Sequence, residues 1–112
     1  MTYGVDIDPI KIDYSMHNSE IYGCNKNIEF LIWDCLCLKK MKTDVFFAAP
    51  PWGGISYIYK EYDIFADIKP SFKEILSVGL NISKNIVFLL PRNTNINQLG
   101  ELFYDEIEKT GM

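Results

Sequence analysis

The chain has 112 residues, 48% of them hydrophobic, and a formal net charge of −4. This length and composition suit one domain with a modest core and exclude a disordered or fibrous chain. The acidic balance argues against a broad nucleic-acid surface, which normally carries a basic patch. The sequence contains neither a basic-then-apolar leader nor an apolar run of about 18 residues. We therefore expect neither secretion nor membrane contact.

The cysteines do not suggest a disulfide framework or a metal centre. Cys24, Cys35 and Cys37 lack paired spacing, and the only histidine, His17, does not complete a metal-ligand pattern with them. We expect reduced thiols and no metal.

The chain opens with a strand that leads directly into a helix. Asp8 is placed as the N-cap and Pro9 at the first helical position. Gly23 is placed to end the helix. Residues at helical spacing predict its apolar face: Ile10, Tyr14, His17 and Ile21.

Acidic residues follow the first two predicted strands. Asp6 ends the first strand, and a carboxylate at such a point can accept both ribose hydroxyls of a nucleoside cofactor, although a structural role is also open. The second strand spans residues 28–32, and Asp34 lies just past it. The residues alone favour Asp34 as N-cap of the segment from Cys35 to Met41.

A proline-rich corner ends the third strand, the apolar run Val45 to Ala48. The fixed φ of Pro50 and Pro51 takes the backbone out of the sheet and leaves the Pro50 carbonyl free to accept a hydrogen bond. Such a corner suits transfer to an exocyclic amine on a planar ring, with Trp52 stacked on the ring. The alternative is a structural turn with a core tryptophan.

The second half continues with an irregular loop, a helix, a strand and a last helix. The loop covers residues 55–67, and the helix spans 70–82 with a capping box of Ser71 and Glu74. Its apolar stripe is Phe72, Ile75, Leu76, Gly79 and Leu80. A buried strand over residues 85–90 ends at Pro91-Arg92-Asn93, and apolar spacing predicts a helix from Ile96 to Ile107.

Strands separated by helices predict a parallel sheet with right-handed crossovers. The strand ends that carry Asp6, Asp34, Trp52 and Arg92 would then share one edge. The rigid Pro91 before Arg92 makes a phosphate contact at that edge a natural role for the guanidinium group.

Several motifs together resemble one enzyme family. Residues 49–52, Ala-Pro-Pro-Trp, are similar to the (Asp/Asn/Ser)-Pro-Pro-(Tyr/Phe/Trp) motif of AdoMet-dependent amino-methyltransferases. The Trp form followed by Gly-Gly resembles the trimethylguanosine synthase family of RNA cap guanosine-N2 methyltransferases. Residues 4–12, 18–23 and 90–93 are also similar to that family. Ala49 is a departure, because the family has serine there.

The resemblance implies an incomplete class I methyltransferase domain over residues 1–112. We expect a partial Rossmann-like α/β fold of about four mostly parallel strands with flanking helices. The family's glycine-rich first strand, which belongs before Gly4, and its C-terminal antiparallel strands are not in the chain. Three alternatives stay open for these segments: they are supplied upstream, they are supplied by another chain, or they do not exist.

The resemblance also implies roles for individual residues. Pro50 and Trp52 are the expected catalytic residues. S-adenosyl-L-methionine is the expected cofactor, bound by Asp6, Asp34 and Pro50. The expected substrate-binding residues are Asn18, Pro51, Trp52, Arg92 and Asn93.

The implied function is methylation of the m7G cap of small nuclear and nucleolar RNAs at N2, giving 2,2,7-trimethylguanosine. The expected partner is m7G-capped RNA, held by local cap contacts, and not DNA. A nuclear location follows from the resemblance, and a cytoplasmic one is expected without it. Two alternatives stay open: a non-catalytic remnant or cap-binding module, and an amino-methyltransferase acting on another substrate.

Overall fold

The computed structural model describes residues 1–38, 40–50 and 71–110, which form four strands and three α-helices. In chain order these are β1 (Thr2–Asp6), α1 (Pro9–Ile21), β2 (Ile28–Ile32), β3 (Phe46–Ala48), α2 (Phe72–Ile82), β4 (Ile86–Phe88) and α3 (Ile96–Thr110). Short 3-10 helices occupy Asn25–Asn27 and Cys35–Cys37. The predicted α/β class is confirmed. The loop predicted for residues 55–67 lies outside the described residues.

The chain divides into two compact units, residues 1–38 and 39–112, and each is described by itself. Each unit contains one parallel pair of strands, β1 with β2 in the first and β3 with β4 in the second. The parallel direction agrees with the strand–helix pattern of the sequence. The prediction of one domain over residues 1–112 stays a prediction.

Both ends of α1 form where the sequence places them. The Asp8 carboxylate accepts a hydrogen bond from the Ile10 N–H at 2.9 Å, and Pro9 begins the helix. Gly23 has a φ of +71°, the left-handed conformation that commonly follows a helix end. Local capping residues therefore determine the length of this helix.

The face of α1 that packs inward differs from the prediction. Ile12 and Ser19, seven residues apart, are its buried residues. The four residues predicted to form the apolar face are all exposed: Ile10, Tyr14, His17 and Ile21. The prediction was wrong because the helix carries apolar residues around much of its circumference, so their spacing does not select one face. The Ser19 hydroxyl is accommodated in the buried face by donating to the Met16 carbonyl at 2.7 Å.

A close contact between paired strands shapes the first unit. The register of β1 and β2 pairs Gly4 with Phe30. A Cβ added at Gly4 would lie 3.0 Å from Cδ1 of the Phe30 ring. Gly4 therefore leaves the space that the Phe30 ring occupies.

The strand pair of the second unit is shorter than predicted and covered on one face. Residues 46–48 pair with 86–88, whereas the sequence suggested buried strands over 45–48 and 85–90. Phe46 and Phe88 are half-buried, but Phe47 is 61% exposed and Val87 46%. The predicted burial was therefore wrong for the face of the strand pair that carries Phe47 and Val87. Continuous apolar runs usually mark strands covered on both faces, and here the side chains alternate.

Helix α2 buries the predicted stripe with small changes. Its buried residues are Phe72, Ile75, Leu76, Gly79 and Ile82, while Leu80 is half-buried. The helix begins at Phe72, two residues later than predicted, and the Ser71 side chain makes no capping hydrogen bond. The prediction of a capping box was therefore wrong, because the hydrogen bond expected from the Ser71 side chain does not form. Helix α2 is held by its apolar face.

Three phenylalanine rings join α2, β4 and α3. The Phe72 and Phe88 ring centroids are 4.5 Å apart, and each lies 6.4 Å from the centroid of Phe103. These are normal separations for favourable aromatic pairs. Phe72 and Leu102 are buried, so this cluster forms the core of the second unit. The side chain of Ile107 lies outside the described part of the chain.

Candidate functional site

Asp6, the last residue of β1, has a half-buried side chain. Its Oδ1 accepts a hydrogen bond from the Asp8 N–H at 2.9 Å. This bond holds the carboxylate at the turn between β1 and α1. Asp6 thus supports the turn locally and presents a carboxylate at the carboxyl end of a strand, so the two interpretations of this residue are compatible.

Asp34 occupies the corresponding place after β2 and is also half-buried. Its Oδ1 accepts from the Leu36 N–H at 2.9 Å, which makes it the N-cap of the 3-10 helix Cys35–Cys37. The capping role favoured by the sequence is confirmed, but the capped segment ends at Cys37 and not at Met41. The capping role uses one carboxylate oxygen and leaves the other available for a ligand.

The pairing of β1 with β2 brings these two carboxylates to one end of the first unit. Asp6 pairs with Ile32 in the parallel register, and the Trp33 N–H donates to the Asp6 carbonyl at 3.0 Å. Neighbouring parallel strands lie about 4.8 Å apart. Within residues 1–38, the second oxygen of each carboxylate has no protein partner. The end of this unit therefore offers hydrogen-bond acceptors to hydroxyl and amine donors.

The pKa of the Cys35 thiol, beside Asp34, is affected by the burial and the negative charge at this end of the unit. Burial raises the pKa of Cys35, and the Asp34 carboxylate raises it further. The thiol is therefore kept protonated at neutral pH rather than activated as a nucleophile or metal ligand. Across the described residues, no three His, Cys, Asp or Glu side chains form a group that would hold a metal ion.

Asn18, a predicted substrate residue, lies on the exposed surface of α1. It is nine residues after Pro9, which corresponds to roughly 13 Å along the helix axis. Its backbone carbonyl accepts the Tyr22 N–H at 3.1 Å. The first unit thus separates Asn18 from the end that carries Asp6 and Asp34. Its contact with substrate stays a prediction.

The second unit places Pro50 just past the end of β3, with its side chain buried. Ala49, which stands where the resembling family has serine, is exposed beside it. Pro51 and Trp52 lie outside the described residues, so their predicted roles stay predictions. The buried Pro50 ring is consistent with a rigid corner after the strand.

The segment after β4 forms an open polar cavity. Pro91 is buried, Arg92 is exposed and Asn93 is half-buried. The cavity has a volume of about 330 Å³ and is lined by Asn93, Thr94, Asn95, Ile96 and Asn97. The sequence analysis identified Arg92 and Asn93 but not the residues that follow. The feature of the sequence that could have indicated these lining residues is the repeated asparagine in residues 93–97, Asn-Thr-Asn-Ile-Asn.

The predicted shared edge joins strand ends from both units. Within the first unit, Asp6 and Asp34 are brought together. Within the second, β3 and β4 are adjacent and parallel, so Pro50 and Arg92 follow neighbouring strand ends. A common edge for all four strands stays a prediction. No helix in the part of the chain that the structure describes is long and apolar enough to cross a membrane.

Comparison with known proteins identifies the family. A model of a family described as RNA cap guanine-N2 methyltransferase matches residues 1–111. The chain belongs to this cap methyltransferase family. The resemblance inferred from the Pro-Pro-Trp corner and the flanking motifs is therefore confirmed. The short parallel strands and helices agree with part of a methyltransferase fold.

Two fungal proteins illustrate how this member of the cap methyltransferase family relates to longer relatives. It is 35% identical over 106 residues to trimethylguanosine synthase of Saccharomyces cerevisiae, covering 88% of this chain and 34% of the relative. It is also 35% identical over 104 residues to trimethylguanosine synthase of Schizosaccharomyces pombe, covering 86% of this chain and 44% of the relative. The chain thus spans less than half the length of either protein.

Proposed function

We propose that this chain provides cofactor- and substrate-binding residues for methyl transfer to N2 of the m7G cap of RNA. Family membership over residues 1–111 and the similarity to two trimethylguanosine synthases support the reaction class. The proposed product is 2,2,7-trimethylguanosine, and the proposed substrates are small nuclear and nucleolar RNAs. We also propose a nuclear location for the protein, as the resemblance implies.

The arrangement of Asp6 and Asp34 is the observation that carries the proposal. Asp6 ends β1 and Asp34 lies two residues after the paired parallel strand β2. Both are half-buried, and each uses one oxygen for a backbone N–H. Ligands of open α/β sheets bind at the carboxyl ends of the strands. A nucleoside presents ribose hydroxyls and, in adenosine, an amino group. The free acceptors of the first unit therefore suit adenosine chemistry.

S-adenosyl-L-methionine fits this set of acceptors. In the proposed arrangement Asp6 accepts from the ribose hydroxyls and Asp34 accepts from the adenine amino group. When bound, this cofactor supplies a methyl group attached to a positively charged sulfur, an already activated donor. The task left to the protein is to hold the reactants close together in the correct orientation.

The proposed substrate contacts belong to the second unit and to α1. The Pro50 carbonyl accepts a hydrogen bond from the guanine amine and so orients its nitrogen, while Trp52 stacks on the base. Arg92 contacts cap phosphate, and Asn18, Pro51 and Asn93 contact other cap groups. The burial of Pro50 and the exposure of Arg92 support this assignment. A cap pocket needs only local contacts, which is compatible with a net charge of −4.

Substitution of Asp6 tests the cofactor assignment. Asp6→Asn keeps an acceptor for the Asp8 N–H but removes the charge, so the fold should be retained. A hydrogen bond to a charged group contributes about 1.5–3 kcal/mol, so affinity for S-adenosylhomocysteine should fall by roughly tenfold or more. Isothermal calorimetry or NMR titration measures the change.

Glu20→Gln is the matched control, because it removes one exposed carboxylate from the same unit near the far end of α1. Its affinity for S-adenosylhomocysteine should equal that of the unsubstituted chain. Equal binding by Asp6→Asn and the unsubstituted chain would remove Asp6 from the cofactor site.

A further inference from the structure

An exposed tryptophan is attached beside the two candidate cofactor ligands. Trp33 directly follows β2 and precedes Asp34, and 55% of its surface is exposed. Its backbone N–H donates to the Asp6 carbonyl at 3.0 Å, which fixes the Trp33 backbone beside the end of β1. The indole is thus attached at the same end of the unit as both carboxylates. The sequence pattern did not indicate a role for this residue.

Exposure of this side chain leaves a large apolar surface available for contact with a ligand. A buried tryptophan removes about 150–250 Å² from water, and Trp33 forgoes much of that burial. Two other apolar side chains at the same strand ends are also exposed, Ile32 at 53% and Ile7 at 68%. The end of the unit therefore combines acceptor oxygens with uncovered apolar surface.

We propose that Trp33 is the stacking residue for the purine ring of the nucleoside that Asp6 and Asp34 bind. The inference rests on the proposed function and extends it, because the carboxylates account for the ligand's hydrogen-bond donors and leave its ring faces without a partner. An indole plane covers one face of a purine by stacking, which is a recurrent way of binding nucleobases. Trp33 is thereby a positioning residue for the cofactor.

Charge favours a ligand without phosphate at this position. The first unit contains six carboxylates and two lysines, so it accounts for the entire formal net charge of −4. Asp6, Asp8 and Asp34 lie at or beside the strand ends. Carboxylates at one end of the unit repel phosphate, attract cationic groups and do not repel neutral ones. An adenosine linked to a sulfonium fits this charge pattern, whereas an RNA phosphate backbone does not.

Fluorescence can observe Trp33 directly. The chain contains two tryptophans, Trp33 and Trp52, so Trp52→Phe leaves Trp33 as the only one. Titration of this variant with S-adenosylhomocysteine should quench the Trp33 emission in a saturable way, with the same dissociation constant as calorimetry gives. Adenosine should also quench, and adenosine 5′-monophosphate should bind more weakly than adenosine.

Substitution measures how much the indole contributes. Trp33→Ala should weaken S-adenosylhomocysteine binding by roughly 5- to 150-fold, the factor expected for loss of one base–aromatic stack. Trp33→Phe should recover most of the affinity because it restores an aromatic plane. Tyr22→Ala is the control, since it removes an aromatic side chain that is 84% exposed at the C-cap of α1. It should leave the affinity unchanged.

The outcomes separate the inference from the function on which it rests. Because the glycine-rich first strand is not in the chain, binding is measured on protein to which that strand has been restored, and absence of S-adenosylhomocysteine binding there would contradict the proposed function and the stacking role together. Binding that Asp6→Asn weakens, but that neither quenches Trp33 nor changes in Trp33→Ala, would overturn the stacking role alone. If Trp33→Ala fails to fold, the quenching experiment with Trp52→Phe still decides.

Discussion

Gly79 shows how a single residue fixes the approach of α2 to the strands of the second unit. A Cβ added there would lie 2.7 Å from Cδ1 of Phe46 and 3.3 Å from Cδ1 of Ile86. These contacts are too short to be relieved without moving a packed ring. Gly79→Ala should therefore destabilise the chain by about 1–3 kcal/mol, although alanine is the better helix former. Urea unfolding measures the change.

Gly100 is the matched control because it is also a helical glycine, in α3. It is exposed, and a Cβ added there meets no described atom within 4 Å. Gly100→Ala should stabilise the chain by about 0.5–1 kcal/mol through helix propensity. Equal effects at the two positions would contradict the close packing of α2 on Phe46.

The Cys35 thiol provides a pH-dependent probe of the strand end in the first unit. Burial and then Asp34 raise its pKa, so the folded chain favours the protonated thiol. Any associated stability is present at low pH and is lost as pH rises through the raised pKa. Iodoacetamide should modify Cys35 more slowly than an ordinary thiol at pH 8, because the thiolate is the reacting species.

The pH profile of Cys35 alkylation is best measured with Cys24 and Cys37 replaced by serine. Its midpoint should lie above that of a free thiol. Asp34→Asn should move the midpoint part of the way down, since burial, the larger cause, remains. A midpoint at or below the ordinary thiol value would show that Cys35 is not in the environment described.

At the scale of elements, the orientation of α1 is the clearest structural claim to test. Ile12 is 5% exposed, whereas Ile10, two residues earlier in the same helix, is 60% exposed. Ile12→Ala should destabilise the chain by about 2–5 kcal/mol, and Ile10→Ala should change stability by less than about 0.5 kcal/mol. Denaturant midpoints of both variants measure this. The reverse order would restore the face predicted from the sequence.

Local signals in the sequence predicted the helix boundaries better than the helix faces. Asp8, Pro9 and Gly23 determine the ends of α1 by short-range hydrogen bonds and backbone geometry, so they can be read without the rest of the fold. Which face of a helix is buried depends on how the preceding turn orients the helix relative to the sheet. This orientation is a property of the tertiary structure, and the spacing of apolar residues in α1 does not determine it.

Strand burial was also only partly predictable. The apolar run ending at Ala48 correctly indicated β3 but not the exposure of Phe47. A run of apolar residues shows that both faces of a strand can be buried. It does not show whether another helix or sheet covers each face. The opposite case is α2, whose narrow stripe specifies one face, and the residues predicted there are nearly all buried.

At the scale of the whole molecule, the candidate site was predictable where motif and topology agree. Asp6 and Asp34 lie at the ends of two strands whose parallel pairing could be anticipated, and the structure brings them to one end. Trp33 was overlooked because nothing in its local pattern distinguishes it from a core residue. Its 55% exposure is visible only in the folded chain. The relation between the carboxylates and the Pro50 corner depends on how the strand pairs combine, which stays a prediction.

Cap N2 methylation is tested by transfer of a labelled methyl group from S-adenosyl-L-methionine to capped RNA, using purified protein that also contains the glycine-rich first strand and the C-terminal strands expected from the resemblance. After nuclease digestion, chromatography should show the label in 2,7-dimethylguanosine and 2,2,7-trimethylguanosine, and an RNA without the 7-methyl group should be a poor substrate. Asp34→Asn should reduce the transfer, because it removes a proposed cofactor contact. Label on another base, or no label on the cap guanosine, would contradict cap N2 methylation by this protein.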